Sequence, residues 1–565
     1  SYWTVKGQFS VTKKYSKSEK FIDPLSSKTS VTGSKDNNLA GDLYTTNGES
    51  LDWNSNAFLY YTRSFNKQHN LNVSAGWEAA SGTTESTNAH YRGFPSGEFH
   101  SLNYAAEVYK KPTRTENTTR RVSVLASANY TWNDIYLVDA SVRFDGSSEF
   151  GANQKWAPFF SGGLGVNIHN YDFFKSNGYI NKLKLRASYG RTGKVNFPAY
   201  AATTMYETLF DEWYITGYGA VLKALGNKDL TWEKTDKLSV GIETKTFHDR
   251  LTVDFEYYYN KTIDLVNDVT LSQTSGFSTY KDNMGQVANK GVELKLRADI
   301  YRDRNWDVAL WGNMAHNKNE ILKISDSQKA YNERVAAYYK NEALYQETLG
   351  LSHGAEYSVP LPQYEEGASL TSIWAVRSLG IDPTTGKEIF LNRDGSIADK
   401  WNAAQEVVVG NTEPKCSGAF GLNLSYKNWT LFASFLYEWG GQEYNQTLVN
   451  NVENADLVNK NVDLRVLTDR WKKPGDIAQF KDIKDRGMTT LPTSRFVQDK
   501  ALVRLNSLNV SYDFNRDWIK KHLRMNLLRL EASTSDLINW SSIKQERGLS
   551  YPRSWKVEFS LKAQF

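Results

Sequence analysis

The residues able to do chemistry are scattered, and few fall at the spacings that a catalytic or metal site needs. The eight histidines never occur as His-x-His or His-x-x-x-His, so the sequence does not indicate a zinc site. Cys416 is the one cysteine, which excludes an intrachain disulfide and a multi-thiolate centre. With 63 acidic residues, carboxylate pairs are inevitable, and none stands out as a glycosidase pair. We therefore predict no catalytic residue, no metal ligand and no cofactor.

Two glycine-rich segments and one acidic segment partly resemble ligand-binding motifs, but none of them matches such a motif fully. Gly190 to Lys194 reads Gly-Arg-Thr-Gly-Lys, but the spacing is wrong for a phosphate loop and Val195 replaces the required hydroxyl. Gly162, Gly163 and Gly165 lack the final glycine of a dinucleotide fingerprint. A calcium loop could be suggested by Asp382, Asp394 and Asp399 with Gly386 and Gly395. Their spacing does not match an EF-hand, and turn chemistry explains the aspartates and glycines better.

Aromatic residues in polar segments are the candidates for ligand binding. Exposed rings stack on sugar faces and hold peptide side chains, so such residues can line a binding chamber. The candidates are Trp213, Tyr214, Tyr218, Tyr357, Tyr364 and Trp374. The alternative is that these rings pack one loop against another or lie at a membrane interface.

The elements that position these residues are strands, because the dominant periodicity is two. In residues 251–260, apolar side chains alternate with polar ones, and residues 292–300 and 555–565 repeat the pattern. Successive side chains of a strand point to opposite faces, so each segment has one apolar and one polar face. The sequence predicts an all-β chain.

The connections fall into two length classes. Short polar joins at Asn133-Asp134, His248-Asp249 and Lys427-Asn428 predict tight hairpins. Long polar connections are predicted at about 15–52, 83–119, 191–232, 261–286, 318–416 and 439–500. Short periplasmic turns alternating with long extracellular loops are typical of outer-membrane barrels, so we predict one transmembrane antiparallel β-barrel portion over 1–565, with roughly sixteen strands. The same alternation places Phe565 at the periplasmic side.

Composition is consistent with this prediction. Lys and Arg total 68 against 63 acidic residues, and this surplus of +5 does not indicate nucleic acid as a partner. The mean hydropathy of −0.58 does not exclude a barrel, in which only alternate residues face lipid. The 17 Trp, 33 Tyr and 26 Phe suit aromatic girdles. The first residues, Ser1 to Thr4, lack signal-peptide features, so we expect a mature, trimmed or partial chain.

Several segments resemble one family of outer-membrane proteins. They include YLVDASVRFDGSSEF (136–150), KWAPFFSGGLG (155–165), LKLRASYGRTG (183–193), NMGQVANKGVEL (283–294), GIDPTTG (380–386) and LSYPRSW (549–555). A further block, Glu413-Pro414-Lys415 before Gly418, has Cys416 where an aromatic residue is usual. In this order the segments resemble the barrel of SusC/RagA-like TonB-linked outer-membrane proteins of Bacteroidota.

This resemblance implies a function and partners. The expected function is TonB-dependent import of a large nutrient, a glycan oligomer or peptide, without enzymatic activity. The loops would dock a SusD-like surface lipoprotein, the wall would contact outer-membrane lipid, and TonB would act through a plug. Family barrels have about 22 strands, so we expect a C-terminal portion whose plug and remaining strands lie in an N-terminal portion or a separate chain. Phe565 resembles the family's C-terminal assembly signal.

Three alternatives remain open at this point. A SusC-like barrel could act as a scaffold in an outer-membrane assembly, without transport. The strand count alone permits a sixteen-stranded diffusion porin. A soluble secreted glycan-binding β protein would show the same alternation, but has no reason to sort its connections by length.

Overall fold

The structure is a computed structural model that describes residues 2–30, 37–175, 178–195, 197–215, 217–270, 279–283, 285–340, 359–457, 462–487, 490–544 and 554–565. The chain forms two compact units. The first comprises residues 1–163, 190–234 and 266–283, and the second comprises 164–189, 235–265 and 284–565. No helix in the described part of the chain is both long enough and apolar enough to cross a membrane.

The described residues are mainly strands. In chain order these are β1 Trp3–Ile22, β2 Asp42–Phe65, β3 His69–Arg92, β4 Glu107–Trp132, β5 Tyr136–Ser147, β6 Trp156–Asn167, β7 Ile180–Lys194, β8 Met205–Tyr214, β9 Gly217–Ala224, β10 Glu233–Thr246, β11 Leu251–Ile263, β12 Val266–Thr270, β13 Thr279–Asn283, β14 Gln286–Arg302, β15 Trp306–Lys323, β16 Ser372–Ile381, β17 Glu388–Leu391, β18 Ile397–Ala398, β19 Glu406–Asn411, β20 Cys416–Tyr426, β21 Trp429–Tyr444, β22 Val497–Asp513, β23 Leu527–Thr534, β24 Asn539–Ser541 and β25 Val557–Gln564. The α-helices are α1 Asp172–Lys175, α2 Asp326–Lys340, α3 Gln446–Leu448, α4 Arg465–Thr468 and α5 Arg516–Leu523.

The first unit contains a ladder of very long antiparallel strands. β1 pairs with β2, β2 with β3, β3 with β4 and β4 with β5. The β4–β5 hairpin turns at Asn133 and Asp134, both with positive φ (52° and 55°). Asparagine and aspartate tolerate this left-handed conformation better than most residues, so the predicted hairpin is confirmed.

The second unit contains a similar antiparallel ladder. β11 pairs with β14, and the ladder continues through β15, β20, β21 and β22. β23 and β24 both pair with β22, so they form one interrupted strand, and β25 pairs with β23. With β23 and β24 counted once, the strands of the two ladders together with β6, β7 and β10 number sixteen in the described residues. This agrees with the predicted count.

Each ladder has one apolar face that is exposed. In the first unit, Ala57 of β2 lies opposite Trp77 of β3, which lies opposite Val124 of β4, followed by Phe144 of β5. In the second unit, the same face carries Phe255, Leu294, Leu310, Phe420, Phe435, Leu530 and Phe559. Many of these side chains, including Trp77, Val124 and Phe559, are exposed. A broad exposed apolar face is what contact with lipid requires.

Aromatic residues gather at the short-turn end of this face. In the first unit, the rings of Trp3 and Tyr61 lie 4.6 Å apart. In the second unit, Trp306 and Tyr426 lie 4.2 Å apart, and Trp429 and Tyr512 4.8 Å apart. Aromatic girdles mark the boundary between hydrocarbon and water. From Tyr61 to Leu51, the apolar face of β2 extends roughly 33 Å along the strand, or about 25 Å vertically at typical barrel tilts.

The strands extend further than the sequence predicts. β1 continues to Ile22 and β2 begins at Asp42, so the connection is 23–41 and not 15–52. Likewise β3 reaches Arg92 and β4 begins at Glu107, where 83–119 was predicted as a loop. Both faces of these extensions are polar, because neither contacts lipid. The apolar–polar alternation that identifies a strand is therefore lost while the backbone pairing continues.

The remaining predicted loops also contain regular structure. The 191–232 connection holds the β8–β9 hairpin and the 261–286 connection holds the β12–β13 hairpin. The 318–416 connection holds α2 and the sheet β18-β17-β16-β19, and β15 extends into it as far as Lys323. In the 439–500 connection, β21 continues to Tyr444, short helices follow, and β22 begins at Val497. These connections are polar because much of their surface is exposed. Their own cores are small, and the buried residues show no regular spacing in the sequence, so periodicity did not predict these elements.

Candidate functional site

The polar face of the second unit's ladder carries paired charges. Arg186 of β7 donates to Asp254 (3.0 Å) and Glu256 (2.5 Å) of β11. Glu256 also accepts from Ser239 at 2.7 Å, and Lys182 donates to Glu243 at 2.6 Å. The first unit has an equivalent group, in which Arg143 donates to Glu78 and Asp145. Ion-paired polar side chains opposite an apolar face are typical of the water-facing side of a barrel wall.

An amide cluster lies where β15 approaches its long connection. The Asn289 side-chain oxygen accepts from Asn317 (3.1 Å) and Asn319 (2.9 Å). Glu413 accepts from the Asn317 amide and from the Asn319 backbone N–H. Asn319 in turn accepts from the Leu370 backbone at 2.8 Å. These bonds fix the start and end of the 324–415 connection to the wall.

Two long connections of the second unit fold together into one body. We call it the loop subdomain; it comprises 359–412, 445–457, 462–487 and 490–496. The backbone N–H of Val376 donates to Pro492 O, and the Trp401 and Trp471 indoles donate to the carbonyls of Pro492 (2.9 Å) and Pro383 (2.8 Å). Its fully buried core includes Val449, Val452, Val466, Phe480 and Phe496. These two connections of the second unit therefore pack against each other and are not independent.

A buried ion cluster joins the halves of the loop subdomain. Arg495 donates to Glu388 (2.9 Å) and Glu453 (2.6 Å), and all three side chains are at least nine-tenths buried. Burial opposes the charge on Arg495, but the two carboxylates outweigh it and raise the pKa of Arg495. Arg470 donates to the carbonyls of Val452 and Glu453. Buried charges persist when they are paired, and here Arg495 pairs with one oxygen of each carboxylate. Glu388 Oε1, Glu453 Oε2 and Arg495 Nε have no hydrogen-bond partner among the described residues.

Glu406 of β19 is a half-buried acid, and its pKa depends on a different balance between burial and neighbouring groups. Burial raises the pKa of Glu406 to about 7, although a hydrogen bond from Gln363 and the nearby Arg393 oppose the shift. The Arg393 guanidinium donates to the backbone carbonyl of Glu406 at 3.0 Å and not to its carboxylate. The protonation state of Glu406 therefore changes near neutral pH.

Three of the predicted ligand-binding aromatics lie on the β8–β9 hairpin of the first unit. Tyr218 of β9 is 62% exposed. The backbones of Trp213 and Tyr214 pair with those of Tyr218 and Gly217, but the side chains of Trp213 and Tyr214 lie outside what the structure describes. Tyr357 also lies outside the described residues. Ligand binding by these residues stays a prediction.

Tyr364 and Trp374 have packed environments. Tyr364 contacts the cluster of Val287, Ile321 and Ile324. Trp374 of β16 is only 3% exposed. Both observations favour the alternative, loop packing, over stacking on a ligand. Phe565 follows β25 and is exposed, and its role as an assembly signal stays a prediction.

The sequence did not indicate a cavity of about 870 Å³ in the second unit. It is lined by the ends of β15, β20, β21 and β22 and by part of the loop subdomain. Its wall includes His316, Lys318, Lys415, Trp439 and Ser542. Trp439 continues the apolar face of β21, and His316 and Lys318 continue that of β15. In the sequence, this cavity could be indicated by Trp439-Gly440-Gly441, where the apolar–polar alternation of β21 stops.

Long antiparallel strands with an exposed apolar face and an ion-paired polar face define a wall of the outer-membrane barrel class. The family model described as "TonB dependent receptor-like, beta-barrel" matches residues 2–527, so the chain belongs to that family. The predicted fold class, family resemblance and outer-membrane location are confirmed.

Individual relatives agree with this assignment. The chain is 26% identical to the TonB-dependent receptor P39 of Formosa agariphila, over 91% of this chain and 53% of the relative. It is 30% identical to the TonB-dependent receptor SusC of Bacteroides thetaiotaomicron, over 43% of this chain and 25% of the relative. Among solved structures, "Structure of the RagAB peptide transporter" has a TM-score of 0.79 at 22% identity, covering 96% of this chain and 57% of that chain. The chain spans about half the length of the curated relatives that it matches most extensively.

Proposed function

We propose that this chain forms wall strands and the extracellular loop subdomain of a TonB-dependent importer of a large nutrient, a glycan oligomer or peptide. The observation that carries the proposal is the pair of opposed faces on each ladder, one apolar and exposed, the other lined by ion pairs such as Arg186–Asp254. Such a wall separates lipid from a hydrated passage. No bond is made or broken, so the proposed activity is not enzymatic.

The energy source and plug belong to the whole protein. In the proposed mechanism, TonB acts on a plug, and the plug's movement opens the passage. The polar wall suits a neutral oligomer as cargo, because charges such as those of Arg143 and Arg186 are paired with carboxylates.

The partner proposed for the loop subdomain is a SusD-like surface lipoprotein. Large apolar side chains protrude from this body, among them Leu361, Leu379, Ile397, Leu464 and Ile477. Exposed apolar side chains on a well-packed body are available for contact with another protein, and this availability supports the proposed docking.

Docking is tested with matched variants of the full-length protein. We expect Ile397→Glu with Ile477→Glu to abolish co-purification of the lipoprotein from detergent-solubilised outer membranes. Lys400→Glu with Lys473→Glu, which changes exposed charges on the same body, should retain it. Deleting the 318–416 connection is expected to abolish docking as well, with the barrel still assembled. Retention of the lipoprotein by the isoleucine variant would reject this surface.

The import function is tested by identifying what accompanies the chain. The mass and N-terminal sequence of co-purifying polypeptides should reveal a plug-bearing portion together with a lipoprotein. If the chain instead purifies alone as a closed, heat-modifiable barrel, it is a diffusion porin. A plug without any TonB-interacting segment would favour the scaffold alternative.

A further inference from the structure

The connection between β22 and β23 contains a short helix, α5 (Arg516–Leu523), at the short-turn end of the second unit's strands. The pairing of β22 with β23 ends where the backbone N–H of Phe514 donates to the Leu528 carbonyl at 3.0 Å. Next to it, the backbone N–H of Asp513 donates to the carbonyl of Asn428, a residue of a short hairpin turn, at 2.9 Å. The helix therefore begins at the level of the short turns, which face the periplasm in outer-membrane barrels.

The aromatic girdle at this end leads directly to the helix. The ring of Tyr512 lies 4.8 Å from that of Trp429 and 5.1 Å from that of Phe514. Four residues further along the chain, Trp518 is 51% exposed, and its ring stacks on that of His522 at 5.2 Å. Tryptophan and tyrosine mark the boundary between hydrocarbon and water, so this series of rings indicates that α5 lies at the headgroup level of the adjoining leaflet.

Both ends of α5 are fixed, so its exposed side chains are held in a set arrangement. At its start, the Asn515 side chain accepts from the Trp518 backbone N–H at 3.0 Å, as an N-cap residue does. At its end, Arg524 takes the left-handed conformation (φ 54°) that commonly terminates a helix. Ile519 is only 1% exposed, so this side of the helix faces the protein. The exposed side chains of the helix and its C-cap include Trp518, Lys520, Lys521, His522, Leu523 and Arg524.

The segment around α5 has a net positive charge. Residues 513–529 contain five basic and two acidic side chains, a net charge of +3 with both acids counted as ionised and histidine as neutral. One of the acids, Asp513, accepts from Arg529 at 2.7 Å, and the other is Asp517. The excess positive charge therefore remains after every acid of the segment is counted. It includes three exposed side chains that form no ion pair within the described part of the chain, Lys520, Lys521 and Arg524.

We propose that the exposed side of α5 binds the headgroups of anionic phospholipids in the periplasmic leaflet. Lys520, Lys521 and Arg524 pair with the phosphate groups, and Trp518 enters the boundary between headgroups and acyl chains. Basic helices with exposed aromatic and aliphatic residues lie in the plane of a membrane surface, and each basic residue near an anionic surface adds to the attraction. The proposal concerns how the wall is anchored in the bilayer and does not depend on the import function.

The test measures which lipid lies beside Trp518 in the full-length protein with its partners, reconstituted in nanodiscs. The emission of the wild type minus that of Trp518→Phe isolates Trp518, because the other tryptophans contribute to both. The nanodiscs contain equal amounts of phosphatidylglycerol and phosphatidylcholine, and one of the two lipids carries bromine near its headgroup, which quenches indole fluorescence on contact. We expect stronger quenching when the bromine is on phosphatidylglycerol. Equal quenching by the two lipids, or none by either, would overturn the proposal.

Lysine variants test whether charge causes this preference. Lys520→Gln with Lys521→Gln, measured against the same variant carrying Trp518→Phe, should lower the preference about tenfold or more, as expected for two lysines near an anionic surface. The charge-matched control, Lys400→Gln with Lys473→Gln in the loop subdomain, should keep it. Both variants should be as heat-modifiable as the wild type, since all four lysines are exposed. An unchanged preference in the K520Q/K521Q variant would reject α5 as the lipid-binding element.

Discussion

At the scale of single residues, the loop subdomain depends on a few buried charges. Arg495, Glu388 and Glu453 lie in a region where ordinary loops would be hydrated. Taking three charges out of water is costly, and only their mutual pairing offsets that cost. The cluster therefore favours one packed arrangement of the loop subdomain over others.

Replacing Arg495 by Met should destabilise the loop subdomain. Two carboxylates would remain buried without their cation, which typically costs about 3–5 kcal/mol. The measurement is the temperature at which a protease begins to cut residues 372–496. Arg529→Met is the control, because the Arg529–Asp513 pair is partly exposed and such pairs contribute about 1 kcal/mol or less. Equal effects of the two substitutions would disprove the buried-cluster account.

Glu406 makes the loop subdomain sensitive to pH. Because burial raises its folded-state pKa to about 7, above the ordinary carboxyl value, the folded state binds more protons between these two values. Stability is therefore full below the ordinary value and falls as pH rises through about 7, by at most about 3 kcal/mol. Protease onset measured from pH 5 to pH 8 should shift in the wild type and stay nearly flat in Glu406→Gln. A wild-type profile as flat as that of the variant would contradict the shift.

At the scale of elements, glycine permits close approach between neighbouring strands. A Cβ on Gly291 of β14 would lie 2.0 Å from the His316 carbonyl of β15. A Cβ on Gly7 of β1 would meet only the Asn56 carbonyl, at 3.9 Å. The two glycines lie in strands of similar length, but only Gly7 has space for a Cβ atom.

We expect Gly291→Ala to impair barrel assembly and Gly7→Ala to leave it unchanged. The added methyl at Gly291 must displace backbone, which breaks a ladder pairing, whereas the methyl at Gly7 makes ordinary contact. The fraction of heat-modifiable protein in outer membranes reports assembly. Normal assembly of Gly291→Ala would show that β14 and β15 can separate without cost.

Sequence periodicity predicted the wall strands because one face of each meets lipid and the other meets water. Val253, Phe255 and Tyr257 alternate for that reason. The same reasoning failed beyond the membrane, where β1 to β4 are polar on both faces. Periodicity gives no prediction for Trp374, since one aromatic residue gives no sign of whether its partners are a ligand or a distant loop. The pairing of Val376 with Thr493 joins segments over a hundred residues apart, which no local pattern encodes.

At the scale of the whole molecule, the apolar face decides orientation in the membrane. On β4 this face runs from Val122 to Trp132 with Ala126 near its middle, and Asn129 of the same strand lies on the polar face. We expect Ala126→Lys to lower the folded fraction, since a lysine at the bilayer midplane costs about 2–4 kcal/mol. Asn129→Lys should have little effect in the same heat-modifiability assay. Equal tolerance of both lysines would show that this face does not contact hydrocarbon.

The loop subdomain has a core of its own, and this has a consequence for how such proteins diversify. Its apolar interior and ion cluster involve residues of two connections, while its contacts with the wall, among the described residues, lie at strand ends and include a few amides near Asn319. Substitutions within the loop subdomain are therefore constrained mainly by other residues of the subdomain and less by the wall strands. A lineage can therefore exchange the loop subdomain as a unit while the wall strands are inherited unchanged.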